Sequence, residues 1–268
     1  MRIRDTAGDS VRNRVEHVVD AEGGAPAVLE STVSAAAGLD HLVGVTAANV
    51  DLADRVERPA LIVVDLQNDF VREGAPLEVP EARATLGVNR MLIDFFRANG
   101  WPVIFTRFVS RPTDAHFWRW SPQCDPREKC CWAGHHRRYL DSPGMWECIA
   151  VVDELAPAAA DIVIDKNFYG AFHGTGLSAM LENLGVKSVI VTGTVTQICV
   201  DQTAREAFQH GFNAVVVSDA VSSSSPELAA YALENIRRKF GWVTSSAELL
   251  SWLQSGRNTR SSRDTGSN

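Results

Sequence analysis

No stretch of roughly 18 uninterrupted apolar residues occurs in the 268-residue chain, which argues against a membrane-spanning helix. The opening MRIRDTAGDSVRNR lacks the apolar run of a secretory signal, so a cytoplasmic location is expected. Lys and Arg total 26 against 33 Asp and Glu, a formal net charge of −7 with no basic face. Neither nucleic acid nor an anionic membrane is an expected partner; a small soluble molecule is. No G-x-x-x-x-G-K-[ST] exists, and GTG at 174–176 and GTVT at 193–196 do not make phosphate loops. Paired C-x-x-C motifs are missing too, and the five cysteines are odd in number, which favours reduced thiols. Cys124, Cys130 and Cys131 lie near His135 and His136, but without zinc-like spacing. No metal is expected there, only buried or idle thiols in a loop.

The chain is 45% hydrophobic, and its length suits one α/β domain of about 200 residues plus an extension. Residues 1–58 show no sustained strand alternation and are expected to be a partly helical or flexible extension. From Pro59 the texture changes. ALIVVD (60–65), PVIFTR (102–107), DIVIDK (161–166), KSVIVTG (187–193) and NAVVVSD (213–219) are continuous apolar runs of the kind that buried parallel strands require, with WVTSS (242–246) a weaker sixth. Helical spacing fills the intervals 81–100, 176–185, 199–211 and 226–241, several ending in Gly. The alternation predicts a three-layer α/β/α domain over 59–253, with about six mostly parallel strands. Residues 254–268 read as a disordered tail. The segment 110–146, with Trp118, Trp120, Trp132 and Trp146, reads as one long aromatic loop.

Ligands of such sheets sit at the carboxyl ends of the strands. Asp65 ends the first strand, Lys166 the third, and Cys199 follows the fourth at the start of a helix. A helix start favours the thiolate, and the cysteine amide there can help bind an oxyanion. A carboxylate could move the thiol proton, and an ammonium could hold both anions. Each residue alone also has an ordinary use: Asp65 as a cap, as Asp69 and Asp219 are read, Lys166 as a solvated lysine, and Cys199 as a small buried hydrophobe.

Three blocks, ALIVVDLQNDF (60–70), DKNFYGAFHGTGLSAML (165–181) and VTGTVTQICVDQTAREAFQHGFNAVVVSDA (191–220), resemble the isochorismatase-like cysteine hydrolases, and the likeness covers roughly 59–253. The resemblance implies that Asp65 is the general base, Lys166 completes a triad and Cys199 is the nucleophile. It also implies a cis peptide at Thr194–Val195, with the Val195 and Cys199 amides as the oxyanion hole. Hydrolysis of a linear amide, ureido or carbamoyl C–N bond through a thioacyl-enzyme, without a cofactor, follows, as does a homodimer or homotetramer. Isochorismatases proper cleave a vinyl ether and lack the cysteine, so Cys199 points to the amidase branch. Nicotinamidases carry a metal-binding Asp-x-His soon after the first block, and EGAPLEVPEAR (73–83) has no histidine.

The second block departs from the related K-x-R-Y-S-x-F, having Phe168 for Arg and Gly170 for Ser. Arg107 could pair with a substrate carboxylate or form a structural ion pair. Phe70, Trp118 and Tyr169 are candidate pocket walls or plain core, and Thr194 a candidate substrate contact. His135, His136 and His173 are better read as polar loop residues than as acids or bases. The long loop could cap the pocket or bury itself at a subunit contact. Two other readings use the same cysteine: ring opening of a cyclic imide or lactam, and a non-hydrolytic redox-responsive thiol.

Overall fold

The computed structural model describes residues 56–264, with side chains to residue 255; the expected extension 1–58 therefore lies almost wholly outside the described residues. Six parallel strands form one sheet: β1 (Pro59–Val64), β2 (Val103–Phe108), β5 (Ile162–Lys166), β6 (Ser188–Thr194), β7 (Asn213–Ser222) and β8 (Gly241–Thr244), in the order β5-β2-β1-β6-β7-β8. The central β1 is buried at every residue, as a run of apolar side chains covered on both faces must be. Two residue-pair strands, β3 (His136–Arg137) and β4 (Trp146–Glu147), form a separate antiparallel ribbon.

Alternation along each strand divides the core in two. Leu61, Val63, Phe105 and Val215 pack with Leu92, Ile93 and Phe96 of helix α2 (Ala82–Ala98) and Leu249 and Leu253 of helix α7 (Ser246–Asp264). Ala60, Ile62, Ile104 and Val216 pack on the other face with Leu177 and Leu181 of α4 (Leu177–Asn183), Ala204 and Ala207 of α5 (Asp201–Gln209), and Ile236 of α6 (Pro226–Lys239). Burying one such Leu, Ile or Phe side chain contributes about 1.5–3 kcal/mol. This is the three-layer arrangement expected from the strand and helix periods. Two short helices, α1 (Asn68–Val71) and α3 (Ala115–Trp118), follow β1 and β2. The backbone of α7 runs helically to Asp264, into the stretch expected to be a disordered tail; its start is held by Asp219, which accepts from the Ser246 N–H at 2.8 Å and from its hydroxyl at 2.6 Å. Among the described residues no helix is long and apolar enough to cross a membrane.

Gln67, Gly193 and Gly170 shape the carboxyl edge. The Gln67 side chain donates to Phe108 O at 3.0 Å and accepts from Phe108 N at 2.6 Å, continuing the β1–β2 pairing one step past the strand. Gly193 has φ +106°, and a Cβ there would stand 2.0 Å from Val64 O. Only glycine lets β6 approach β1 so closely at this point. Gly170 answers the departure from Ser: a Cβ would fall 2.2 Å from the Glu206 carboxylate, which instead accepts from Phe172 N at 2.9 Å.

Candidate active site

Period-two alternation sets the first side chain of the site. On β2, Thr106 and Phe108 face the carboxyl-edge cleft while Arg107 faces away, where it meets Asp165, its neighbour across β5, at 2.6 Å. On β5 the same alternation turns Lys166 inward. Its ammonium lies 2.7 Å from Asp65 Oδ2, and neither side chain has any exposure. Lys166 also donates to Phe168 O at 3.1 Å and Tyr169 O at 2.8 Å and sits 5.6 Å from the centre of the Phe108 ring. Asp65 Oδ1 accepts from the Thr106 hydroxyl at 2.7 Å. Two of the ammonium's three hydrogens serve those carbonyls, and Oδ2 takes the 2.7 Å contact with Lys166. Asp65 itself occupies the left-handed region at φ +50°, a conformation Asp tolerates better than most residues and one that recurs at functional sites.

Cys199 stands within hydrogen-bonding reach of Asp65 and in the field of Lys166. It is carried on a π-helical turn, Thr196–Val200, that precedes α5, so it lies inside the helical run rather than at its first residue. That difference has a consequence for charge. Burial pushes the Cys199 thiol up to about 12; Lys166 lowers it, the Asp65 charge and hydrogen bond raise it, and a backbone hydrogen bond from Val195 lowers it. Burial thus favours the protonated thiol, where a helix start alone favours the thiolate. For Lys166, burial favours loss of the proton, but the Asp65 carboxylate and the Cys199 sulfur more than offset it, and the net shift is upward. The peptide bond Thr194–Val195 is cis, as the family resemblance implies.

A pocket of about 300 Å³ opens beside the thiol. Phe70, Leu77, Val79, Phe108, Tyr169 and Ile198 give it apolar walls, and Glu78, Ser121, Gln123, Gln197 and Ser224 give it polar ones, with Val195 and Cys199 at the wall. Ser121 and Gln123 belong to the long loop, whose Phe117 packs edge-on against Phe108 at 5.9 Å and Tyr169 at 5.4 Å. The loop therefore helps to build the pocket, while its Trp120 and Leu140 are exposed.

Asp65, Lys166 and Cys199 come together, with Phe70, Tyr169 and Val195 around them. Three sequence candidates do not join them. Arg107 takes the structural alternative, bound to Asp165; Trp118 packs against the core beneath the loop; Thr194 is fully buried with its hydroxyl near Ser222 O. Sequence reasoning missed Phe108, Glu78, Gln123 and Gln197. Phe108 was within reach, because it shares a strand face with Thr106, and Gln197 lies between the cis bond and the cysteine; Glu78 and Gln123 sit in irregular segments with no periodic signal.

Asp69 is not a helix or turn cap. It is fully buried and accepts from Cys131 N at 2.7 Å and the Tyr139 hydroxyl at 2.7 Å, while pairing with Arg137 at 2.9 Å. It thereby pins the long loop to the segment after β1. The metal-ligating atoms of Asp69, Cys130 and Cys131 lie within 4.8 Å of one another. Burial raises the thiols of Cys130 and Cys131, and the carboxylate already has three partners, so hydrogen bonds and packing account for the cluster.

The isochorismatase domain family matches residues 59–248. A ureidoacrylate amidohydrolase, RutB, from Stutzerimonas stutzeri strain A1501 is 32% identical over 220 residues, covering 77% of this chain and 87% of that one. A crystal structure of a cysteine hydrolase from Pseudomonas syringae pv. phaseolicola superposes with a TM-score of 0.66 at 26% identity, over 74% of this chain and 93% of its own. The crystal structure of N-carbamoylsarcosine amidase from Thermoplasma acidophilum does so with a TM-score of 0.56 at 32% identity, over 71% and 97%.

Proposed function

Because the chain belongs to the isochorismatase family, we propose that it is a hydrolase of non-peptide C–N bonds in small amide, ureido or carbamoyl compounds, acting through Cys199. One observation carries the reading: a fully buried Asp65–Lys166 pair beside a thiol at the wall of a pocket. Similarity to proteins named ureidoacrylate amidohydrolase and N-carbamoylsarcosine amidase supports the bond type.

The neutral thiol defines the order of events. Asp65 takes the proton as sulfur attacks the substrate carbonyl, so negative charge passes from the carboxylate to the carbonyl oxygen while sulfur stays neutral overall. The Val195 and Cys199 amides receive that oxygen in this proposal. Asp65 then gives its proton to the departing nitrogen, and ammonia or an amine leaves behind a thioacyl-enzyme. Water attacks with Asp65 again as base, the acid is released, and the thiol recovers its proton. Proton transfer of this kind contributes about 10²–10⁴-fold. Lys166 holds the Asp65 carboxylate in place between turns. None of these steps calls for a cofactor. Ring opening of a cyclic imide or lactam uses the same groups and differs in product mass. A thiol whose burial keeps it protonated is a poor oxidant sensor, so the redox reading is the weaker one.

The test is an ammonia-release screen over carbamoyl, ureido, aryl-amide and maleamate-like compounds, with Cys199→Ala, Asp65→Asn and Lys166→Ala alongside. Release by the wild type that vanishes in Cys199→Ala supports the proposal; release retained by that variant ends it. The family likeness extends the proposal to a homodimer or homotetramer in the cytoplasm, the first of which light scattering checks.

A further inference from the structure

We infer that the pocket selects uncharged, N–H-bearing ureas and carboxamides with an apolar or aromatic body and disfavours substrates that carry a carboxylate. The inference rests on the hydrolase reading for the bond that is broken, but not for how the pocket binds. Charge is the first argument. Glu78 is the one charged side chain lining the pocket among the described residues, and it is an anion. Its partner Arg83 is tied down: it meets Glu78 Oε1 at 2.8 Å and donates to Val71 O at 2.8 Å, and the other Glu78 oxygen accepts from Gly74 N at 2.8 Å. Arg107, which could have received a substrate carboxylate, faces the opposite side of the sheet and is held by Asp165.

Hydrogen-bonding polarity is the second. Oε1 of Gln197 is buried at the pocket wall with no hydrogen-bond partner among the described residues. A ligand N–H would satisfy that unmet acceptor, and a carboxylate would not. Gln197 and Glu78 thus both offer acceptors, in a pocket also lined by aromatic and aliphatic surface from Phe70, Phe108, Tyr169 and Leu77. A urea or carboxamide presents N–H donors from a neutral group; an acrylate-like or glycine-like end would bring a second negative charge to Glu78 and an acceptor to an acceptor.

Two compounds of similar size decide it: 4-methylphenylurea and 4-ureidobenzoate. Binding to Cys199→Ala is measured by titration calorimetry and ammonia release by the wild-type enzyme. The neutral urea is expected to bind at least tenfold tighter and, if turned over, to show at least tenfold higher kcat/KM. Glu78→Gln should narrow the ratio at least threefold by admitting the carboxylate. Equal or tighter binding of 4-ureidobenzoate, binding of neither compound, or an unchanged ratio in a folded Glu78→Gln protein overturns the inference. Should that variant fail to fold, the wild-type and Cys199→Ala comparisons decide alone. Selective binding without ammonia release refutes the hydrolase reading and leaves this one standing, whereas Cys199-dependent release that favours the carboxylate does the reverse.

Discussion

Replacing Lys166 by Met removes the cation paired with Asp65 while roughly keeping its volume. At 2.7 Å, with both side chains fully buried, the pair's Coulomb attraction is about 6 kcal/mol at an effective dielectric of about 20. Much of that offsets the cost of desolvating two ions, so the informative quantity is the asymmetry between breaking the pair and deleting it. Breaking it leaves a buried, unpaired carboxylate or forces that carboxyl to neutralise, at about 3–5 kcal/mol. Lys166→Met and Asp65→Asn should each cost about that much, whereas the double variant should cost at least about 2 kcal/mol less than their sum. The lost donors to Phe168 O and Tyr169 O occur in both Lys166 backgrounds and cancel from the cycle. Urea unfolding gives the numbers: with a slope of about 2–3 kcal/mol per molar, each single variant shifts the midpoint by about 1–2 M. Strictly additive costs would mean that the two groups do not stabilise each other, and the account of Asp65 as a base held by Lys166 would fail.

Gly193→Ala should cost about 3–5 kcal/mol, because its Cβ would meet Val64 O at 2.0 Å at a φ of +106°; a thermal midpoint within a degree or two of wild type would contradict this. The buried thiol makes stability fall with alkali. With its folded value raised from 9 to about 12, Cys199 contributes stability that is full below about pH 9 and is lost as pH rises toward 12. Its share of the loss is about 1.4 kcal/mol by pH 10, so unfolding free energies from urea titrations at pH 8 and pH 10 should differ less in Cys199→Ala than in wild type by that amount, and equal pH dependence would refute it. Arg107→Gln removes a partly exposed ion pair that faces away from the pocket, so kcat/KM should change less than twofold and stability by no more than about 1 kcal/mol; a tenfold loss would return Arg107 to the site.

Strands, layers and the three polar residues at the carboxyl edge were legible because each follows from a period. β1, β2 and β6 are continuous apolar runs that can be buried only in a covered parallel sheet, and their ends necessarily share an edge. Asp65, Lys166 and Cys199 then lie near one another by topology alone. Period-two reasoning carried further would also have turned Arg107 away, since Thr106 and Phe108 share the opposite face. What the periods do not contain is the irregular segment between β2 and β5. Its conformation depends on Asp69, a residue 62 positions before its Cys131 partner, and such a long-range hydrogen bond leaves no local trace. The pocket's polar wall suffers the same blindness, because Glu78 sits in an irregular segment and Ser121 and Gln123 at a single 3₁₀ turn, all positioned by packing rather than propensity. The thiolate tendency of Cys199 was read from a helix start; the π-helical turn and full burial work against it.

The most direct test of a cysteine-centred hydrolase is to catch the acyl group on sulfur. Wild-type enzyme mixed with a compound it turns over, quenched in acid within a single turnover and digested, should give a Cys199 peptide heavier by the substrate less ammonia or amine. Hydroxylamine should discharge that mass as the hydroxamate, and Cys199→Ala should show neither adduct nor turnover. Turnover with no adduct on the Cys199 peptide at any quench time, and undiminished in Cys199→Ala, would contradict the account.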